Sequence, residues 1–204
     1  MLVGAFLRDN MNNILYKALF LSLLICSVAC TPAMQSVKDS ASLEQEYPWD
    51  SCSYEIGDHA CNFTLKDQHD KEVSLYDFYG DVIVVDFSTM WCGPCKMAAS
   101  EVQGVKEAFS NIGIAYLTIL IENTEGYDPN LADCNDWANI HGITEPVLAG
   151  DRSLVDPDGI HGWPITGWPT FFFITEDMVI DSALRGFSSA YVEALILDAA
   201  EEGS

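Results

Sequence analysis

Two strongly apolar, β-branched runs organise the chain. Asp81-Val82-Ile83-Val84-Val85-Asp86-Phe87 and Ile112 to Ile121 each predict a strand buried on both faces. Between them, Lys96 to Phe109 sets Met97, Val102, Val105, Ala108 and Phe109 at helical spacing, an amphipathic helix. Leu131 to Ile140 predicts a second helix and Ser189 to Ala200 a closing one. Phe63-Thr64-Leu65 and Val73-Ser74-Leu75 flank the polar stretch Lys66 to Lys71 as a short hairpin, followed by a turn from Tyr76 to Gly80. Phe171 to Ile174 and Met178 to Ala183 form a second hairpin-like pair. The order β-β-β-α-β-α-β-β-α predicts an α/β domain, a mixed central sheet flanked by helices on both faces. The sequence has no long internal repeat.

Upstream the pattern changes. Ala18 to Ala29 is an apolar run of 12 residues behind Lys17, too short for the roughly 20 that span a bilayer. A short apolar segment after a basic residue, ending in small residues, reads as a secretory signal, with Met1 or Met11 as its start. Its end, Ser27-Val28-Ala29-Cys30, resembles the lipobox of bacterial lipoproteins, with Ser27 where that pattern prefers Leu. The resemblance implies cleavage before Cys30, lipidation of Cys30 and a membrane-tethered, exported protein in the periplasm or cell envelope. Thr31 to Ser53 is polar and aperiodic, a tether. The expected organisation is therefore a signal peptide of lipoprotein type over 1–30, a flexible tether over 31–55 and a domain over 56–204.

Composition narrows the function. Only 9 basic residues oppose 31 acidic ones, a formal net charge of −22 that repels phosphate backbones and excludes nucleic acid as a partner. The acidic excess serves solubility or offers a docking face to a basic partner. Seven cysteines suit an oxidising compartment better than a reducing cytosol. Cys26 and Cys30 fall in the leader, and Cys92 and Cys95 form a CxxC pair. Cys52, Cys61 and Cys134 are an odd set with three pairings open, any of which would be structural rather than a redox relay.

Trp91-Cys92-Gly93-Pro94-Cys95-Lys96 lies between a buried strand and a helix start. There the first cysteine meets unpaired amides and the positive end of the helix dipole, which stabilise a thiolate. The second lies about one turn further in, within reach of a mixed disulfide on the first. Cys92 is thus the expected nucleophile and Cys95 the resolving thiol. Gly93 allows a tight turn, and Pro94 fixes φ where no donor is needed. A zinc site is disfavoured: there is no second CxxC, and His59, His69, His141 and His161 are scattered. An inert structural disulfide leaves the flanking residues unexplained. No metal and no cofactor beyond the Cys92–Cys95 disulfide are expected.

From Val82 through Lys96 the strand, motif and helix start resemble thioredoxin. Three further features fit that resemblance. Asp86, six residues before Cys92, falls where thioredoxins carry a buried aspartate that takes the proton of the second cysteine. Trp168-Pro169-Thr170, ahead of Phe171-Phe172-Phe173, resembles the cis-proline segment packed against the active site. Arg185-Gly186-Phe187 falls where the family has a glycine beside the substrate groove. The resemblance spans roughly residues 56–200, and Ile56-Gly57-Asp58 through Ser74-Leu75 is similar to the TlpA-like and peroxiredoxin-related branch, which has exported, membrane-tethered members.

The resemblance implies a thioredoxin fold and a thiol–disulfide oxidoreductase reducing protein disulfides outside the cytoplasm. Cys92, Cys95 and Asp86 would be catalytic, with Trp91, Gly93, Pro94, Trp168, Pro169 and Gly186 binding substrate. Its electron donor would be a membrane thiol transporter. Trp168 departs from the family, which carries Ile or Thr before this proline. Two alternatives stand beside it. One is a thiol peroxidase of the peroxiredoxin-related motif P-x-x-x-[TS]-x-x-C, for which Thr89 is well placed but Val85 replaces the proline. The other is a non-catalytic module that binds clients between Trp91 and Trp168.

Overall fold

A computed structural model of the chain describes residues 47–203. The expected signal peptide, the expected lipidation at Cys30 and the expected tether up to residue 46 fall outside the described residues.

The two apolar runs pair with each other. They become β3 (Val82–Thr89) and β4 (Ile114–Glu122), parallel and in register from Val82↔Ile114 to Ser88↔Leu120. Every residue of β3 is buried, which is why the run carries no polar alternation. Five further strands extend this pair: β1 (Thr64–Asp67), β2 (Glu72–Ser74), β5 (Val147–Ala149), β6 (Thr170–Ile174) and β7 (Ile180–Arg185). The seven-stranded sheet runs β2-β1-β5-β4-β3-β6-β7. β3, β4 and β5 are parallel, and the pairings β1–β2, β1–β5, β3–β6 and β6–β7 are antiparallel, so the sheet is mixed. β5 is absent from the expected order. Three residues carry no periodicity, and its strand character comes from its neighbours β1 and β4.

Three helices complete the fold: α1 (Gly93–Ala108), α2 (Leu131–His141) and α3 (Ser189–Glu202). Val82 and Val84 of β3 pack with Ala98 and Val102 of α1, Trp137 of α2 and Ile196 of α3, so all three α-helices cover one face. The opposite face, with Ile83, Val85 and Phe87, is covered by Trp163, by the 3-10 turns Leu75–Phe78 and Arg152–Leu154, and by the N-terminal segment. Helical cover on both faces was expected; on the second face it is 3-10 only.

Residues 47–55, expected in the tether, pack against the domain. Trp49 stacks on His59 with centroids 4.5 Å apart, and Tyr47 meets Tyr76 at 4.6 Å. Aromatic pairs of this geometry add to simple area burial, which is enough to hold a short polar segment in place. Cys52 and Cys61 close a disulfide there, which resolves the open pairing, and Cys134 is left as a buried free thiol. Burial pushes the Cys134 thiol up to about 12, so it is an inert core group at neutral pH.

Candidate active site

β3 ends at Thr89, and the chain turns immediately into α1. The Cys92 amide donates to the Thr89 carbonyl at 3.2 Å, closing that turn. Cys92 is the N-cap of α1, with extended backbone at φ −79° and ψ 120°. Its Sγ accepts the Cys95 amide at 3.2 Å, so a helix-terminal donor already points at the sulfur. Pro94 sits in the first turn, where its missing N–H leaves no bond unmade. Cys92 and Cys95 are joined in a disulfide, their Cα atoms 5.2 Å apart. Cys92 is 5% exposed and Cys95 not at all, so the first sulfur is the one an incoming group meets. The site can do one thing well: exchange this disulfide with another and hold the resulting thiolate at a helix N-terminus.

Asp86 lies on β3 with Val84 and Ser88 on the face that α1 covers. It is fully buried, and burial pushes its carboxyl up to about 7, against the opposing influence of Ser88 and the Tyr116 hydroxyl. The same burial, with Asp86 nearby, holds the Tyr116 phenol well above its ordinary range. A carboxyl poised near neutrality behind a cysteine pair can take and return a proton at physiological pH.

The third part is the loop before β6. The Trp168–Pro169 bond is cis, and Phe87↔Thr170 pairing sets this loop at the end of β3 from which the cysteine turn departs. Gly186, at φ +88°, donates its amide to the Pro169 carbonyl at 2.8 Å. That positive φ is a region glycine enters without penalty. Trp91 is 48% exposed, while Trp168 packs partly buried against the cluster that contains Cys92 and Cys95. The structure thus brings Asp86, Trp91 to Cys95, Trp168, Pro169 and Gly186 to one end of the sheet.

Two residues not singled out from sequence join this end. Glu122 accepts the Trp91 indole N–H at 2.8 Å and the Arg152 Nε–H at 2.8 Å. The Arg152 guanidinium lies over the Trp168 ring, 5.4 Å from its centroid. No sequence signal links residues 30 or more apart, one at a strand end and one in a 3-10 turn. Ser88 joins them by donating to Asp86 Oδ1 at 2.7 Å, a contact that its place two residues on along the same strand face signals. Among the described residues no group of three or more His, Cys, Asp or Glu is placed to hold a metal ion.

A thioredoxin-like sheet whose central strand delivers a helix-capping CxxC disulfide to a cis-proline loop defines the thioredoxin-like thiol–disulfide class. Within it the chain belongs to the AhpC/TSA family, which matches residues 56–183. The thiol-disulfide oxidoreductase ResA of Oceanobacillus iheyensis is 24% identical over 183 residues, covering 88% of this chain and 84% of ResA. The thioredoxin-like protein YneN of Bacillus subtilis is 22% identical over 140 residues, covering 68% and 76%. The putative thiol:disulfide interchange protein DsbE from Chlorobium tepidum superposes with a TM-score of 0.56 at 25% identity, covering 72% of this chain and 99% of that one.

Proposed function

We propose that this chain is a thiol–disulfide oxidoreductase that reduces disulfides of protein clients outside the cytoplasm. Cys92 thiolate attacks a client sulfur, forming a Cys92–client disulfide and releasing the client's other sulfur as a thiolate. Cys95 thiolate then attacks Cys92 Sγ, forming Cys92–Cys95 and releasing the second client thiol. Asp86 accepts the Cys95 proton in that second step and returns it to the departing thiolate. Two electrons pass to the client, and a membrane thiol donor restores the dithiol. Trp91, Gly93, Pro94, Trp168, Pro169 and Gly186 line the approach.

The observation that carries this reading is the Cys95 amide on Cys92 Sγ at 3.2 Å, which supports Cys92 as the thiolate once the disulfide is reduced. The reductive direction draws on the Gly-Pro dipeptide and on Asp86. Export with a lipid anchor draws on residues 1–30 and their lipobox-like end at Cys30. Among the described residues no helix is long and apolar enough to cross a membrane. Redox titration of Cys92–Cys95 against glutathione tests the direction. A potential near that of thioredoxin, about −270 mV, is expected; one near DsbA, about −120 mV, makes the protein an oxidant.

One observation favours a second reading, a thiol peroxidase. Thr89, three residues before Cys92, buries its Oγ1 without a hydrogen-bond partner, as if reserved for a small oxidant. Val85 at the proline position and the immediate Cys95 disulfide weigh against it. Hydrogen peroxide consumption at a rate above that of disulfide exchange would move the assignment to this reading.

A further inference from the structure

Trp91, next to Cys92, and Trp168, before the cis proline, are joined through Glu122 and Arg152. The chain of contacts runs from the Trp91 indole N–H to the Glu122 carboxylate, to the Arg152 guanidinium, to the Trp168 ring. Four separate segments contribute one residue each, and three local devices bring them together. The first is a bulge in the β3–β4 ladder: Ser88 faces Leu120, but Thr89 faces Glu122, skipping one residue of β4. The bulge seats the Glu122 carbonyl on the Met90 amide at 2.9 Å and turns its carboxylate to Trp91, the re-aiming a bulge provides. The second is Gly150. A Cβ there would lie 2.6 Å from the Ile119 side chain and 3.0 Å from the Leu120 carbonyl, so only glycine lets this strand exit cross β4 so closely. The third is the 3-10 turn Arg152–Leu154, capped by the Asp151 carboxylate on the Ser153 amide at 2.6 Å. It fixes where Arg152 starts.

Stability alone does not account for this arrangement. Arg152 is 56% exposed, and an ion pair so open to solvent adds little to folding. Glu122, by contrast, is only 13% exposed and receives both partners, so its charge is spent holding two groups in fixed positions. What it holds is a half-exposed indole beside Cys92 and, through Arg152, the ring that precedes Pro169. Rigid aromatic walls at fixed spacing are what an extended peptide needs to lie against, whereas a small disulfide needs only the sulfur.

We propose that Glu122 and Arg152 are positioning residues that set the spacing of Trp91 and Trp168 and so determine access for disulfides carried on a polypeptide. The inference rests on the Cys92–Cys95 redox reading. It predicts discrimination by substrate size, not a change in the chemistry of the sulfurs.

Insulin and hydroxyethyl disulfide, reduced by the full-length protein and its variants, separate the two. In Glu122→Ala and in Arg152→Ala, kcat/KM on insulin falls roughly tenfold relative to that on hydroxyethyl disulfide, with the loss in KM. The double variant loses no more than either single one, because either removal breaks the same chain of contacts. Glu122→Gln, which keeps an oxygen for the indole N–H, recovers part of the loss. It also carries the test, with Arg152→Lys, if the alanine variants fail to fold. Equal losses on both substrates, no loss on either, or additive losses overturn the proposal while leaving the redox reading intact. Wild-type protein inactive toward both disulfides overturns the two together.

Discussion

The Ser88 hydroxyl donates to Asp86 Oδ1 at 2.7 Å and leaves Oδ2 buried without a hydrogen-bond partner. Burial disfavours the charged carboxylate, and the opposing influence of Ser88 and the Tyr116 hydroxyl offsets this only in part, so the protonated form is favoured. The Asp86 carboxyl titrates at about 7 when folded against an ordinary value of 3.8. Between those pH values the native state keeps a proton that the unfolded chain has released. Stability is therefore fully present at the acid end of the window and falls as pH rises through it, by roughly 4 kcal/mol in all, then levels off above pH ~7. Asp86→Asn should abolish that slope in urea titrations, raise stability at pH 8, and lower turnover about 100-fold. A variant that is more stable and less active is the signature of a strained proton carrier.

The Cys52–Cys61 disulfide lies at the other end of the molecule. Ala60 bonds to the Met178 carbonyl at 2.8 Å, beside the β6–β7 turn and opposite the end where Cys92 emerges from β3. Closing a loop with a sequence separation of 9 restricts the unfolded chain by about 2.5 kcal/mol. Replacing both cysteines by serine should lower the free energy of urea unfolding by about that amount. The potential of the Cys92–Cys95 couple should stay within experimental scatter of wild type.

Gly186 is the second half of the cis-proline loop's support. A Cβ there meets nothing within 4 Å, so Gly186→Ala is free of clash, yet it forces alanine into φ +88°. The cost is about 1 kcal/mol, or a fall of roughly 2–4 °C in thermal midpoint. Relief of that strain shifts the amide off the Pro169 carbonyl, so KM for insulin should rise as well. Calorimetry and steady-state kinetics on one preparation check both effects.

Thr89 separates disulfide exchange from peroxide chemistry. Its buried Oγ1 makes no hydrogen bond, so Thr89→Val removes an unsatisfied group at almost constant volume. Thermal stability should be unchanged or slightly higher, and insulin reduction should be unaffected. A tenfold loss of peroxide consumption, with that activity substantial in the wild type, would instead favour the peroxidase reading.

How much of this was legible in the sequence follows from where each signal resides. Val82–Thr89 and Ile114–Glu122 announced themselves because strands buried on both faces need apolar residues throughout. The placing of Cys92 and Cys95 at a helix start was legible because strand, cap and helix follow one another without a break, while Asp86 stood out through the resemblance to thioredoxin. Val147–Ala149 was not, being a strand only by virtue of its partners. The segment 47–55 reads as polar tether because Tyr47, Trp49 and Tyr54 lack periodicity, and their packing partners lie elsewhere in the chain. Glu122 and Arg152 were beyond reach: a bulge and a close-passing glycine bring them together, and neither leaves a pattern.

In the proposed cycle Cys92 attacks and Cys95 resolves. The most direct test is peptide mass mapping of Cys95→Ser after reaction with a disulfide-bearing protein under denaturing quench. A covalent client adduct on Cys92 and none on Cys134 is the expected outcome. An adduct on Cys134, or none on Cys92 while Cys92→Ser protein still reduces the client, would contradict it.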